Sequence, residues 1–337
     1  MARSPLFGWL IVVLCALALI VIAAPARAEQ APDGAPNPTG SVVPQRKLLQ
    51  EYPRIEGRID IPDRRAGVLV QPAGRTWDWF HERLLFWGGA IAILGMIAAL
   101  GLAYLIMGRL RISAGRSGEK VLRFDGFERF AHWLTAVSFV ILALTGLNIT
   151  FGKHVLLPLI GPEAFTSVSE ASKYVHNFLS FAFMTGLAII TVIFFRDNLF
   201  RKVDVDWIKQ GGGFIPGKHA PAGRFNPGEK MVYWLSVLAG IAISVSGLLL
   251  LFPFFVTGIA GMQLAQVIHA VIAMLFIALI LGHIYIGTLG MEGAFEAMGT
   301  GDVDLNWAKE HHDVWLREMS ERQRRSGMGE PTPTPAE

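Results

Sequence analysis

Five apolar segments, each about twenty residues or longer and so able to cross the roughly 30 Å hydrocarbon core of a bilayer, leave this chain little choice of fold. They run near Leu84–Met107, Phe130–Phe151, Tyr174–Phe195, Met231–Phe254 and Leu264–Thr288. Inside a bilayer no water satisfies the backbone, so each segment has to pair its N–H and C=O groups internally, as a helix. Apolar residues make up 52% of the chain and charged ones only 17%, which leaves no long polar stretch for a large soluble domain. The expected fold is therefore all-α, an integral membrane helical bundle. No basic patch interleaved with aromatics occurs outside the spans, which argues against nucleic-acid binding.

The first residues read as a secretory signal over residues 1–28. Arg3 is the positive end, Trp9–Ala24 the apolar core, and Ala26-Arg27-Ala28 a small-x-small cleavage site. The only cysteine, Cys15, lies inside this segment. A cleaved chain would hold no thiol, which excludes disulfides, cysteine-bound iron–sulfur clusters and covalently attached c-type haem. Residues 29–80 follow as a periplasmic extended segment, rich in proline and glycine (APDGAPNPTG, EYPRIEGRID) and without helical periodicity. It is either a docking segment for a partner or a tether.

The loops set the expected orientation. Arg109, Arg111, Arg116, Lys120, Arg123 and Arg129 lie between the first and second spans. Arg196, Arg201, Lys202, Lys209, Lys218, Arg224 and Lys230 lie between the third and fourth. The opposite loops carry little beyond Lys153 and Lys173. The positive-inside rule puts both basic loops and the C-terminal tail, residues 291–337, in the cytoplasm. The first span then runs inward, in agreement with a cleaved signal.

Histidine placement carries the chemistry. His269 and His283 stand fourteen residues apart on one apolar stretch. At 100° and about 1.5 Å per residue they leave nearly the same helix face, roughly 21 Å apart. His132 opens the second span on the inner side and His176 opens the third on the outer side. The depths match in pairs, His176 with His269 and His132 with His283. Ionisable residues are costly in lipid and mark function there. Two imidazoles at one depth on separate helices suit bis-histidine haem, which is held without covalent attachment and carries electrons. The alternative is that these rings bond neighbouring helices or point into a polar cavity. His81, His154, His219, His311 and His312 lie in loops, interfaces or the tail and are expected at the surface.

The run FNPGEK before the fourth span reads as a helix start, with Asn226 capping, Pro227 at the first position and Glu229 in the first turn. Arg129, Lys173 and Lys230 sit at interfacial depth, where they could pair with haem propionates or set topology.

From about Phe124 to Met319 the chain resembles the γ subunit of membrane-bound formate dehydrogenase, the cytochrome b556 subunit. The motifs are FDGFERFAHW, YVHNFLSFAF, FNPGEKMVYW, IHAVIAMLFIALILGHIYIG and WAKEHHDVWLREM. The resemblance implies a four-helix dihaem cytochrome b domain, residues 120–290, with two b haems on His132, His176, His269 and His283. It also implies a menaquinone or ubiquinone pocket at Asn226, Gly228, Glu229 and His283. The implied partners are an iron–sulfur β subunit and a molybdenum- or tungsten-containing catalytic α subunit, in a bacterial inner membrane. The chain departs from the simplest family pattern by its signal, its outer segment and an extra transmembrane helix, residues 81–110, which carries no histidine in its apolar core. With no site for formate chemistry of its own, the chain is expected to be an electron conduit with no catalytic residue. Rival readings are the cytochrome b subunit of a nickel–iron hydrogenase or of a thiosulfate reductase, and, in a different class, a cofactor-free transporter or assembly protein.

Overall fold

The computed structural model describes residues 56–58, 68–70, 79–212, 220–325 and 334–335. The expected signal peptide, most of the segment at 29–80, Lys218 and His219 lie outside them. Within that segment β1 (Glu56–Arg58) pairs antiparallel with β2 (Val68–Val70), Gly57 opposite Leu69. A segment expected to lack structure thus holds one strand pair, where the β-prone run Val68-Leu69-Val70 finds a partner.

Among the described residues five helices are long and apolar enough to cross a membrane. The first is α1 (Phe86–Met107), entered through a π-helical turn at Phe80–Leu85. Next is α2 (Gly126–Val155), opened by a capping box in which the Asp125 carboxylate accepts from Glu128 N and the Glu128 side chain accepts from Asp125 N. The third, α3 (Leu157–Phe194), kinks at Gly161, whose φ of 77° is open to glycine, before Pro162 restarts the helix. Its reach is longer than the apolar span near Tyr174–Phe195, because no glycine or proline interrupts the polar residues between Pro162 and Tyr174. A short α4 (Lys202–Lys209) precedes α5 (Pro227–Leu251) and α6 (Ile259–Tyr285), and α6 ends in a π-helical turn, Ile286–Gly290.

Small residues set the helix spacing, as is usual where lipid offers no hydrophobic drive between helices. A Cβ at Gly186 of α3 would stand 3.0 Å from the Thr135 backbone nitrogen of α2. One at Gly240 of α5 would crowd Leu187, and one at Gly89 of α1 would meet Met274 of α6 at 3.0 Å. The extra helix α1 therefore packs on α6 of its own chain and leaves most of its surface bare, Ile91 and Leu105 among the exposed residues.

The chain after α6 folds back as a cap over one end of the bundle. It comprises α7 (Ala294–Gly299), β4 (Asp302–Asp304), α8 (Leu305–His311) and α9 (Asp313–Arg325). The strand before α2, β3 (Glu119–Leu122), lies between β4 and β5 (Thr334–Pro335), antiparallel to both. Phe124, Phe194, Tyr233, Trp307 and Trp315 form the buried core of this end.

Candidate functional site

The helix α6 carries His269, Phe276 and His283 seven residues apart, two turns per step, so all three leave one stripe. Facing it, α2 brings His132 beside His283, ring centroids 6.2 Å apart. The helix α3 brings His176 beside His269 at 6.1 Å. The four histidines thus meet as two pairs near opposite ends of the bundle, the His132–His283 pair at the end bearing the cap. Between the levels Phe139, Phe183 and Phe276 pack together, with Phe139 and Phe276 centroids 4.6 Å apart. This aromatic layer was missed in the sequence, although the seven-residue spacing on α6 was there to find it.

Hydrogen bonds fix the rings of one pair. The Thr145 hydroxyl donates to the Ile141 carbonyl at 2.9 Å, so its oxygen accepts from Nδ1–H of His176, also at 2.9 Å. Nδ1–H of His269 donates to the Ile243 carbonyl at 3.1 Å and lies 3.2 Å from the Ser246 hydroxyl. Both rings therefore keep Nε2 as a bare lone pair, the form in which imidazole binds metal. Two glycines leave room beside them: a Cβ at Gly146 would stand 3.3 Å from His176 Cε1, and one at Gly247 would stand 3.2 Å from His269 Cε1. At the other pair, His132 Nδ1 is buried without a hydrogen-bond partner among the described residues.

These features fit a metal held between two imidazoles. Metal–imidazole bonds of about 2.0–2.1 Å on opposite sides of one ion put ring centroids roughly 6 Å apart. Among the described residues no group of three or more His, Cys, Asp or Glu could hold an ion. The remaining ligands would have to come with the metal, as the four nitrogens of a porphyrin do.

The other expected site residues are engaged in structure. Asn226 caps α5: its Oδ1 accepts from Glu229 N at 3.0 Å, and Glu229 Oε2 accepts from Asn226 N at 2.8 Å. Glu229 Oε1 also accepts from Arg123 Nη2 at 2.9 Å. Asn226 Nδ2 keeps no bond among the described residues. Gly228 lies in the first turn, where a Cβ would stand 3.2 Å from Asn226 Oδ1. Lys230 is buried at 2% exposure, its Nζ donating to Asp204 at 2.7 Å and to the Leu199 carbonyl. Arg129 donates to the carbonyls of Met298 and Gly299 at the end of α7. Neither cation is thus spare for a propionate.

His312 is a correction. It was expected at the surface and is fully buried, its Nδ1–H donating to the Gly223 carbonyl at 2.8 Å. Its ring lies beside Trp307, and Nε2 stands 3.8 Å from Glu229 Oε1. Burial holds its pKa well below the usual histidine range, and the Arg123 charge adds to this. Arg123 is itself buried, which lowers its own pKa, with its guanidinium near the rings of Phe124, Trp307 and Trp315. An isolated pair of tail histidines gives no sequence signal for burial, because the packing depends on the cap. His81 and His154 are exposed and His311 is half-buried.

Residues 123–301, more than half of the chain, match the family model described as prokaryotic cytochrome b561. The chain is 28% identical over 205 residues to "Formate dehydrogenase, cytochrome b556(fdo) subunit" of Escherichia coli (strain K12), covering 60% of this chain and 94% of that one. It is 26% identical to the nitrate-inducible cytochrome b556(Fdn) subunit of the same organism, covering 60% and 92%. A formate dehydrogenase cytochrome b556 subunit of Haemophilus influenzae is 25% identical, covering 63% and 87%.

Proposed function

This chain belongs to the prokaryotic cytochrome b561 family, and from that premise we propose that it is the cytochrome b membrane anchor of a formate dehydrogenase. In this reading it takes electrons from an iron–sulfur subunit outside the cytoplasm, itself fed by a molybdenum- or tungsten-containing catalytic subunit. It delivers them to menaquinone or ubiquinone near the cytoplasmic face of a bacterial inner membrane. The observation that carries the reading is the meeting of four histidines as two pairs at two levels.

His176 with His269 would hold one b haem, and His132 with His283 a second. Haem b, when bound by these histidines, would supply a one-electron carrier. The chain's residues do the rest. Thr145 and the Ile243 carbonyl orient two ligand rings. Gly146 and Gly247 keep space beside them, and Phe139, Phe183 and Phe276 exclude water between the levels.

The basic loops and the cap face the cytoplasm in this reading, and the N-terminus lies outside after signal cleavage. The quinone end is then beside His283 and the start of α5. Asn226 Nδ2 and the Gly228 backbone would bond a quinone carbonyl, and Glu229 would relay a proton to it.

The test is an optical difference spectrum on oxidised membranes holding the assembled complex. Formate should produce a reduced b-type band that decays when a quinone analogue is added. A band produced by dithionite but not by formate would overturn the choice of donor. No b-type band under either condition would overturn the cytochrome itself.

A further inference from the structure

A cavity of about 260 Å³ opens where α3 ends, at the turn before α4, and is closed on its far side by α9. Its lining is rich in cations: Arg123, Arg196, Arg201, Arg224, Lys230 and Arg322. Most already have partners. Arg224 binds Asp197 and Glu128, Arg201 binds Glu318, and Lys230 binds Asp204.

Two do not. The side chains of Arg196, just past α3, and Arg322, on α9, are exposed and have no hydrogen bond or ion pair among the described residues. They come from distant parts of the chain and line the same cavity. Arg123 lines it too, only 3% exposed, and its Nε and Nη1 have no hydrogen-bond partner among the described residues. Its Nη2 donates to Glu229 and to the Arg224 carbonyl, and its guanidinium lies near the rings of Phe124, Trp307 and Trp315, so it adds fixed positive charge to the lining. A guanidinium pairs with phosphate oxygens through two parallel N–H bonds, and arginine is preferred wherever that geometry is read.

The surroundings choose the kind of phosphate. The cavity sits where the spanning helix α3 stops and α5 starts, the level at which a bilayer places its headgroups. Next in sequence to lining residues stand Phe195, Phe200 and Met231, and with Leu199 they are large, apolar and exposed. The Phe200 ring lies 6.0 Å from Lys230 Nζ, which joins this apolar edge to the cationic lining. A soluble phosphate has no use for such an edge, whereas acyl chains do. Basic pockets between membrane helices are a known form of headgroup recognition.

We propose that this cavity binds the phosphodiester headgroup of an anionic phospholipid, with Arg196 and Arg322 as its principal contacts. The inference needs only that the helices span a membrane and is independent of the electron donor.

Native mass spectrometry of the delipidated complex in detergent tests it, with added phosphatidylglycerol, phosphatidylcholine or inorganic phosphate as separate probes. Phosphatidylglycerol should bind the wild type at least tenfold more tightly than phosphatidylcholine. The doubly substituted Arg196→Gln, Arg322→Gln chain should lose that preference, and Arg196→Lys, Arg322→Lys should keep most of it. An unchanged optical spectrum would show each variant to be folded. Equal retention of phosphatidylglycerol by wild type and the glutamine variant would overturn the proposal, as would equal binding of the two lipids. Displacement of phosphatidylglycerol by an equal concentration of inorganic phosphate would also overturn it, in favour of a free phosphate.

Discussion

The two histidine pairs have nearly equal ring separations and unequal support. At the His176–His269 pair both Nδ1–H groups are held, by a threonine hydroxyl and a backbone carbonyl. At the His132–His283 pair the His132 Nδ1 is buried and free of any such bond among the described residues. An Nδ1–H bond fixes the ring and raises the basicity of Nε2, which favours the more positive state of a bound metal. The chain alone thus orients the first pair, and the difference predicts that a haem there has the lower midpoint potential. That order of potentials would favour electron flow from the His176–His269 level towards the His132–His283 level, the direction in which the proposed quinone end lies.

The comparison breaks most severely if one ligand is removed. His283→Ala should leave one haem per chain where the proposal gives the wild type two, with a haem at His176–His269 still reducible by formate and quinone reduction abolished. Haem content and single-turnover reduction would check it. A smaller disturbance targets the space beside one pair. Gly146→Leu places side-chain atoms against His176, since even a Cβ there would stand 3.3 Å from Cε1. It should cut haem retention at that pair about tenfold or more, the scale on which altered surroundings of a metal ligand act, and spare the other pair.

Thr145→Val is gentler, keeping shape and removing the acceptor for His176 Nδ1–H. Redox titration should show the lower of the two potentials move upward while the higher stays in place. A shift of the higher potential instead would reverse the assignment of the two levels.

The smallest effect concerns the cap. His312 is buried neutral, with its pKa lowered by burial and by Arg123, so the unfolded chain binds the extra proton first. Stability contributed by His312 is therefore complete above the unfolded pKa of about 6.5 and is lost as pH falls below it. Hydrogen exchange in α8 should speed up on acidification. In His312→Asn, which retains a donor for the Gly223 carbonyl, that pH dependence should flatten.

The spans were legible because lipid leaves the backbone a single solution, and the shared face of His269 and His283 follows from helical periodicity alone. Other features depend on contacts that no local pattern announces. The helix α3 begins at Leu157 rather than near Tyr174, since helix continuation past the apolar layer rests on the absence of breakers rather than on hydropathy. The start of α5 was readable as a cap at Asn226, but the Arg123 partner of Glu229 lies 106 residues away in sequence. The burial of His312 and the pairing of β3 with β4 arise from the same long-range closure of the cap. The Phe139–Phe183–Phe276 layer lay between legible and hidden, with a visible spacing on α6 and partners on α2 and α3 that only packing identifies.

The most direct test of the central claim is the haem-to-chain ratio of the purified complex, measured with its low-spin ferric electron paramagnetic resonance spectrum. Two b haems per chain, giving two distinct bis-histidine signals, is the expected result. A single haem per chain, or a signal with one histidine replaced by another ligand, would contradict the account.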